Sequence, residues 1–135
     1  MREILFRGKR IDNGKWEYGD LMRDNVGGSY VFPNEAENLY LEYEVDPATV
    51  GQYSGLTDKN GEKIFEGDII EDCNNRIGYV AWLPQECGYV VVWKKSDSRL
   101  GHRNRGSGYY QDTTISVIGN IHDNPELVKC GKYNE

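Results

Sequence analysis

The chain has 135 residues, of which 38% are hydrophobic and 28% charged, with 16 basic against 22 acidic side chains and a net charge of −6. That length suits a single domain, and ten Tyr, three Trp and three Phe exclude a disordered polar segment. An acidic chain argues against duplex wrapping, where phosphate neutralisation supplies most of the affinity; it leaves room for a local basic patch.

Short apolar runs separated by turn residues begin at once. Ile4-Leu5-Phe6 leads into Arg7-Gly8-Lys9-Arg10, and Asp12-Asn13-Gly14-Lys15 is an Asn-Gly hairpin signal. Trp16 and Tyr18 alternate with Glu17 on the return strand. Gly19-Asp20 then reads as a turn, with Leu21 and Met22 after it. Gly27-Gly28 turns the chain into Tyr30-Val31-Phe32, and 33–37 reads as loop. From Leu39 to Val45 apolar and acidic residues alternate, a period of two that argues a half-buried strand; Glu and Leu leave a helix as the competing reading. Asp46 to Gly51 is a turn, Gln52-Tyr53-Ser54 a short extended piece, and Asp58-Lys59-Asn60-Gly61 a second Asn-Gly turn.

Ile64-Phe65 and Ile69-Ile70 flank Glu66-Gly67-Asp68. Ile77–Trp82 and Tyr89–Trp93 are the clearest strands, joined at hairpin length. Residues 94–108 have almost no apolar content and read as loop. Ile115–His122 is a last strand with Gly119 as a bulge. Asn124-Pro125-Glu126 is a helix start by cap, ring and charge, with room for one short turn. The expected fold is mainly β: compact antiparallel meanders or SH3-like small barrels, with at most a short C-terminal helix. EGDIIEDCNNRIGYVAW, a Gly-Asp turn, a strand and a hairpin ending in Trp, is the pattern that suggests the barrel.

An internal repeat sharpens this. Phe6-x-Gly8, Asn13-Gly14 and Gly19-Asp20-Leu21 recur in order as Tyr53-x-Gly55, Asn60-Gly61 and Gly67-Asp68-Ile69. Two copies of one meander, each too small to bury a core alone, would pack together. The expected organisation is one domain over 1–130 with repeat-like halves at about 4–50 and 51–128, and a flexible tail at 131–135.

Catalytic patterns are scarce. In Gly51-Gln52-Tyr53-Ser54-Gly55 the serine stands one place away from a nucleophile elbow. No Walker loop, H-E-x-x-H or EF-hand string occurs. Cys73, Cys87 and Cys130 form no C-x-x-C pair and lie far from His102 and His122 as zinc spacing goes, so no metal site and no cofactor is expected. Three reduced thiols are the expectation. Glu66 and Asp68, two apart, would share a strand face and could do acid–base or metal work, against the plainer role of Asp68 as a turn cap.

The one basic cluster is Lys94, Lys95, Arg99, Arg103 and Arg105 against the single Asp97. It suits phosphate or an acidic partner, and Tyr109 and Tyr110 beside it offer stacking faces to single-stranded bases. A plain solvated loop is the simpler reading. Another subunit's acidic stretch, Glu35, Glu37, Glu42, Glu44 and Asp46, is a further partner. Trp16, Trp82 and Trp93 read as core. The tyrosine excess, Tyr40, Tyr109 and Tyr110 included, suits an interface, which points to a dimer or trimer.

Phe6-Arg7-Gly8-Lys9, Gly14-Lys15-Trp16-x-Tyr18-Gly19-x-Leu21, VDPATVGQYSGLTDKNGEKIFEGDII and Ile118-Gly119-Asn120-Ile121 with Asn124-Pro125-Glu126-Leu127 resemble the YopX-type phage and prophage proteins. The resemblance spans about residues 2–128. It implies an intracellular accessory protein of a bacteriophage or prophage, and it carries no activity or catalytic residue with it. The charged start MREILFRGKR lacks the apolar core of an export signal, and no run approaches the ~20 apolar residues of a membrane helix. The expectation is a cytoplasmic, non-enzymatic binding or assembly module, with a nucleic-acid accessory role or a small hydrolase as alternatives.

Overall fold

The computed structural model describes residues 3–33, 41–93 and 115–128 in full, and the backbone alone of 97–99, 103–104 and 108–109. Two compact units divide the chain, 1–55 and 56–135. Both are antiparallel β-sheet, and among the described residues the helical content is three single 3-10 turns.

The first unit contains β1 (Phe6–Lys9), β2 (Trp16–Arg23), β3 (Ser29–Pro33), β4 (Tyr43–Val45) and most of β5 (Gly51–Thr57). Their order across the sheet is β4-β3-β2-β1-β5. The β1–β2 hairpin closes through Gly14 N–H to the Arg10 carbonyl (3.0 Å), with Gly14 at φ +73°, which the Asn-Gly signal anticipates. Asp24 organises the next turn by accepting from the N–H groups of Val26 (3.0 Å) and Gly28 (2.6 Å). After β4, Asp46 caps a 3-10 turn at Pro47–Thr49 by accepting from Ala48 N–H. β4 also meets the end of β1: Arg10 bridges Val45, Ile11 N–H donates to the Glu44 carbonyl, and Asp46 N–H to that of Lys9. The sheet thus curls back on itself around Val31 and Val45, both fully buried, without closing into a barrel.

Gly19-Asp20 is not a turn. β2 runs unbroken from Trp16 to Arg23, and Gly19 pairs with both Phe6 and Pro33 inside the sheet. Its lack of a side chain serves close approach: a Cβ there would overlap the Phe32 carbonyl oxygen. The alternation expected from Leu39 is likewise shorter, with strand only at Tyr43–Val45, while 34–40 lie outside the described residues.

The second unit starts within β5, returns through the 58–61 turn as β6 (Lys63–Phe65), and continues with β7 (Asp68–Asp72), β8 (Ile77–Leu83) and β9 (Gly88–Trp93). Then come β10 (Asp97–Arg99), β11 (Arg103–Asn104), β12 (Gly108–Tyr109) and β13 (Ile115–Asn120). The main sheet has the order β10-β9-β8-β7-β13, and β11 pairs with β12 separately. Ile64, Ile70, Val80, Val91, Trp93 and Ile115 form its core, with Tyr89 and Val117 packed against them. The register explains the cluster: Ile70, Gly78 and Trp93 align in one cross-strand row, and Val80 and Val91 in the next on the same face. Full burial of a side chain such as Ile70 contributes roughly 1.5–3 kcal/mol.

The strands expected at 77–82 and 89–93 are present, and the ladder shifts register between Val117 and Gly119, where a bulge was expected. Three readings are corrected. Residues 94–108 are not all loop: β10 pairs with β9, because an edge strand needs backbone partners and not an apolar side-chain pattern. Trp82 is not core but 46% exposed, on the half of β8 beyond the core residues. Asn124 does not cap the Pro125–Leu127 turn; its side-chain oxygen accepts instead from Asn120 N–H (3.3 Å).

Candidate functional site

The carboxylates were the candidates for acid–base or metal chemistry, and the structure commits the buried ones to backbone. Asp68 is 2% exposed and accepts from Phe65 N–H at 2.7 Å, while Glu66 sits in the Glu66-Gly67 turn before β7 begins. They do not share a strand face, since the turn at Gly67 (φ +93°) intervenes. Asp58 is equally buried and holds three N–H groups, those of Asn60 and Glu62 on one oxygen (2.8 Å each) and that of Val117 on the other (2.9 Å). Burial pushes its carboxyl up, but these three donors and Lys59 outweigh that and hold it below the ordinary value. Asp72 follows the same logic: burial opposes ionisation, while Arg76 N–H, its guanidinium and Asn74 N–H prevail. Among the described residues no three His, Cys, Asp or Glu side chains gather where a metal ion could be held. Cys73 and Cys87 are exposed and free.

Of the expected basic site, Arg99 lies on β10 opposite Val90, and Arg103 on β11 opposite Tyr109. Lys94, Lys95, Arg105, Tyr110 and Tyr40 lie outside the described residues, as does His102. The backbone adds a juxtaposition that the sequence did not show. By Arg99, β10 has returned level with Val90, next to Tyr89 and its cross-strand partner Trp82. Those two rings meet edge to face at 5.1 Å and 72°.

A second surface was missed altogether. Because β2 does not break at Gly19, Trp16, Tyr18, Asp20 and Met22 stand on one face of the first sheet. Cross-strand partners extend that face: Arg7 opposite Tyr18, Phe32 opposite Asp20, then Met22, Tyr30 and Glu44 in one row. Tyr18 is 44% and Met22 42% exposed, and Trp16, Tyr30 and Phe32 are half-buried. The buried Arg7 guanidinium lies 4.7 Å from the Trp16 ring centre, fixing the indole from the side of β1. Carboxylates rim the aromatics. Tyr30 OH donates to Asp24 (3.3 Å), and the charges of Asp24, Glu44 and then Glu42 push the phenol up from its ordinary value. The signal was present as Trp-x-Tyr-x-Asp-x-Met, a seven-residue alternation that a Gly-Asp turn would have cut in half. The opposite face differs: there Arg10 lies 3.9 Å from the Tyr43 ring centre and pairs with Asp12 (2.7 Å) and Glu17 (3.4 Å).

The family model described as YopX protein matches residues 5–129. No curated protein matches the chain. Among solved structures, the crystal structure of protein EF1440 from Enterococcus faecalis is similar at a TM-score of 0.53 and 21% identity, covering 95% of this chain and 99% of that one. That likeness speaks to fold.

Proposed function

We propose that this chain, which belongs to the YopX family, is a phage- or prophage-encoded accessory protein that works as a binding module. The observation that carries this is the row on one face of the first sheet in which exposed Tyr18 and Met22 stand among half-buried Trp16, Tyr30 and Phe32. Aromatic residues and Met are the types that interfaces enrich, since they bury large area with few rotamers to freeze and, for Met, adapt in shape. Contiguous apolar surface rimmed by charge is the usual mark of a docking face. Two converging free acids, which a hydrolase would need, are not available at Glu66 and Asp68, because Asp68 is buried on the backbone. The test is affinity capture from host lysate by wild-type chain and by a Tyr18→Asp/Met22→Asp variant, with far-UV circular dichroism as the folding control. A retained species that the variant loses supports the reading. An unchanged set of retained species refutes it.

A nucleic-acid role is the second reading. It is favoured by Trp82, 46% exposed beside Tyr89, on the strands whose edge partner β10 carries Arg99; Arg103 and Arg105 follow in sequence. Stacking on aromatics with basic residues alongside is how single strands are bound without sequence preference. Fluorescence anisotropy with a short oligothymidylate decides it. Binding that weakens steeply with salt, and is lost in the Arg99→Glu/Arg103→Glu/Arg105→Glu variant, supports it; salt-independent or absent binding removes it.

A further inference from the structure

Resting on the reading of the β2–β3 face as a docking surface, we infer that its occupant is a cationic, arginine-bearing segment of a partner protein, which crosses the aromatic row between Asp20 and Glu44. Charge selects the class of partner. Asp20 and Glu44 stand on the outer face itself, exposed and without an ion pair among the described residues. Glu42 is exposed just before β4, and half-buried Asp24 closes the far end of β2. Asp24 and Glu44 lead the influences that push the Tyr30 phenol up, and Glu42 adds to them, so the negative potential centres on the apolar part of the face. The cations of this face on β1 are Arg7, buried against Trp16, and half-buried Lys9, opposite Trp16 at the other end of the row. A phosphate backbone would meet the four carboxylates as like charges, whereas a cationic segment meets them as counter-ions.

The rings between the acids select arginine over charge alone. A guanidinium plane stacks on an aromatic face while its N–H fork reaches a carboxylate, whereas an ammonium is more strongly hydrated and has no plane. The chain makes this arrangement within itself. Arg10 lies 3.9 Å from the Tyr43 ring centre and donates through Nε and Nη2 to the two oxygens of Asp12 (2.9 and 2.7 Å). Arg76 lies 4.5 Å from the Trp93 ring centre and donates through Nε to Asp72 (2.7 Å). The outer face offers rings and carboxylates in the same mixture, with Tyr18 and Met22 exposed.

Sheet geometry sets the spacing. Asp20 pairs with Phe32, and Met22, Tyr30 and Glu44 form the next row on that face. Glu44 is thus two strands across and two residues along from Asp20, about 12 Å away at ~4.8 Å between strands and ~3.3 Å per residue, with Phe32 and Tyr30 in between. In an extended segment, arginines four residues apart span about 13 Å, and the residue midway between them points the same way, onto those two rings. The sequence read by the face is therefore Arg-x-apolar-x-Arg.

The experiment is fluorescence anisotropy of a dye-labelled Gly-Arg-Ser-Leu-Ser-Arg-Gly peptide titrated with the full chain in about 0.1 M NaCl, where charges are screened beyond ~10 Å. Saturable binding is expected. Replacing both peptide arginines by glutamate should abolish it, and replacing both by lysine should weaken it about threefold or more. Asp20→Asn/Glu44→Gln should weaken it about tenfold or more. The chain's net charge is −6, so Asp12→Asn/Glu62→Gln, which removes as much charge from two exposed turn positions, is the control and should leave the affinity within about twofold. Absent binding, equal affinity for the lysine peptide, an Asp20→Asn/Glu44→Gln variant that binds like the control, or displacement of the peptide by an oligothymidylate overturns the inference. Should the double variant fail to fold by circular dichroism, Asp20→Asn alone replaces it and must weaken binding about threefold, or the inference falls. A chain that ignores the peptide, yet loses a captured species through Tyr18→Asp/Met22→Asp, would sink this inference and leave the docking surface standing. Peptide binding that survives Tyr18→Asp/Met22→Asp would put the peptide elsewhere and sink it too.

Discussion

Asp58 is the residue on which the second unit most visibly turns. Its carboxylate is 2% exposed and accepts from Asn60, Glu62 and Val117, tying the 58–61 turn to β13, the edge strand that supplies Ile115 to the core. Asp58→Ala removes all three bonds. The Asn60 and Glu62 N–H groups lie in a half-open turn and regain water, at ~1 kcal/mol each. The Val117 N–H, in a strand, is left unsatisfied at ~1–3 kcal/mol. The expected loss is therefore about 3–5 kcal/mol. With a urea dependence of ~2 kcal/mol/M the midpoint should fall by about 2 M, read from the emission of Trp82 and Trp93. Asp12→Ala is the control, since Asp12 is exposed in its turn and held chiefly by its ion pair with Arg10, so its loss leaves no donor buried. Equal midpoint shifts for the two variants would refute the reasoning. The acid limb gives an independent check. The folded carboxyl lies below its ordinary value of 3.8, so its stabilisation is complete above that pH and is lost as the pH falls through the folded value. Asp58→Asn should flatten that part of the stability curve.

Ile70→Ala empties the centre of the core row beside Trp93 and should cost ~2–5 kcal/mol in urea unfolding. Gly19→Ala should destabilise more than Gly61→Ala in thermal unfolding. The first places a Cβ against the Phe32 carbonyl, and the second imposes only the strain of φ +82° in open space, ~1–2 kcal/mol. Arg76→Ala removes the guanidinium from Asp72 while keeping the residue-76 N–H, so the carboxyl should move part of the way up towards the ordinary value in an NMR titration, and the Trp93 emission should shift as the guanidinium leaves its ring.

Where sequence and structure agree, the pattern itself was physical. IGYVAW and YVVVW carry β-branched and aromatic residues at a period that only a pleated ladder can use, and both became central strands of the second sheet. The Asn-Gly pairs at 13–14 and 60–61 have their glycines at φ +73° and +82°, because only a left-handed residue lets so tight a hairpin follow the strand twist. The edge strand β10 was illegible because an edge makes its bonds with peptide groups, which every sequence carries alike. Trp82 was illegible as an exposed residue because its cross-strand neighbour Tyr89 is fixed by register, and register is a property of two strands together.

The Gly-Asp pairs show most plainly why the binding face went unseen. Gly19-Asp20 and Gly67-Asp68 match as letters and as positions in the repeat read from the sequence, yet the two glycines act differently. Gly67 takes φ +93° and turns the chain into β7, with Asp68 folded back onto Phe65 N–H. Gly19 keeps ordinary strand geometry and is small because the Phe32 carbonyl needs its space, which leaves Asp20 exposed on a continuous strand. Turning and close packing select the same residue, so a glycine alone cannot say which applies. What separates them is the neighbouring strand: β3 crowds Gly19 at Phe32 and Pro33, so β2 runs straight through it. That one difference places Tyr18 and Met22 on the same side of one strand, and with them the surface on which the functional proposal rests.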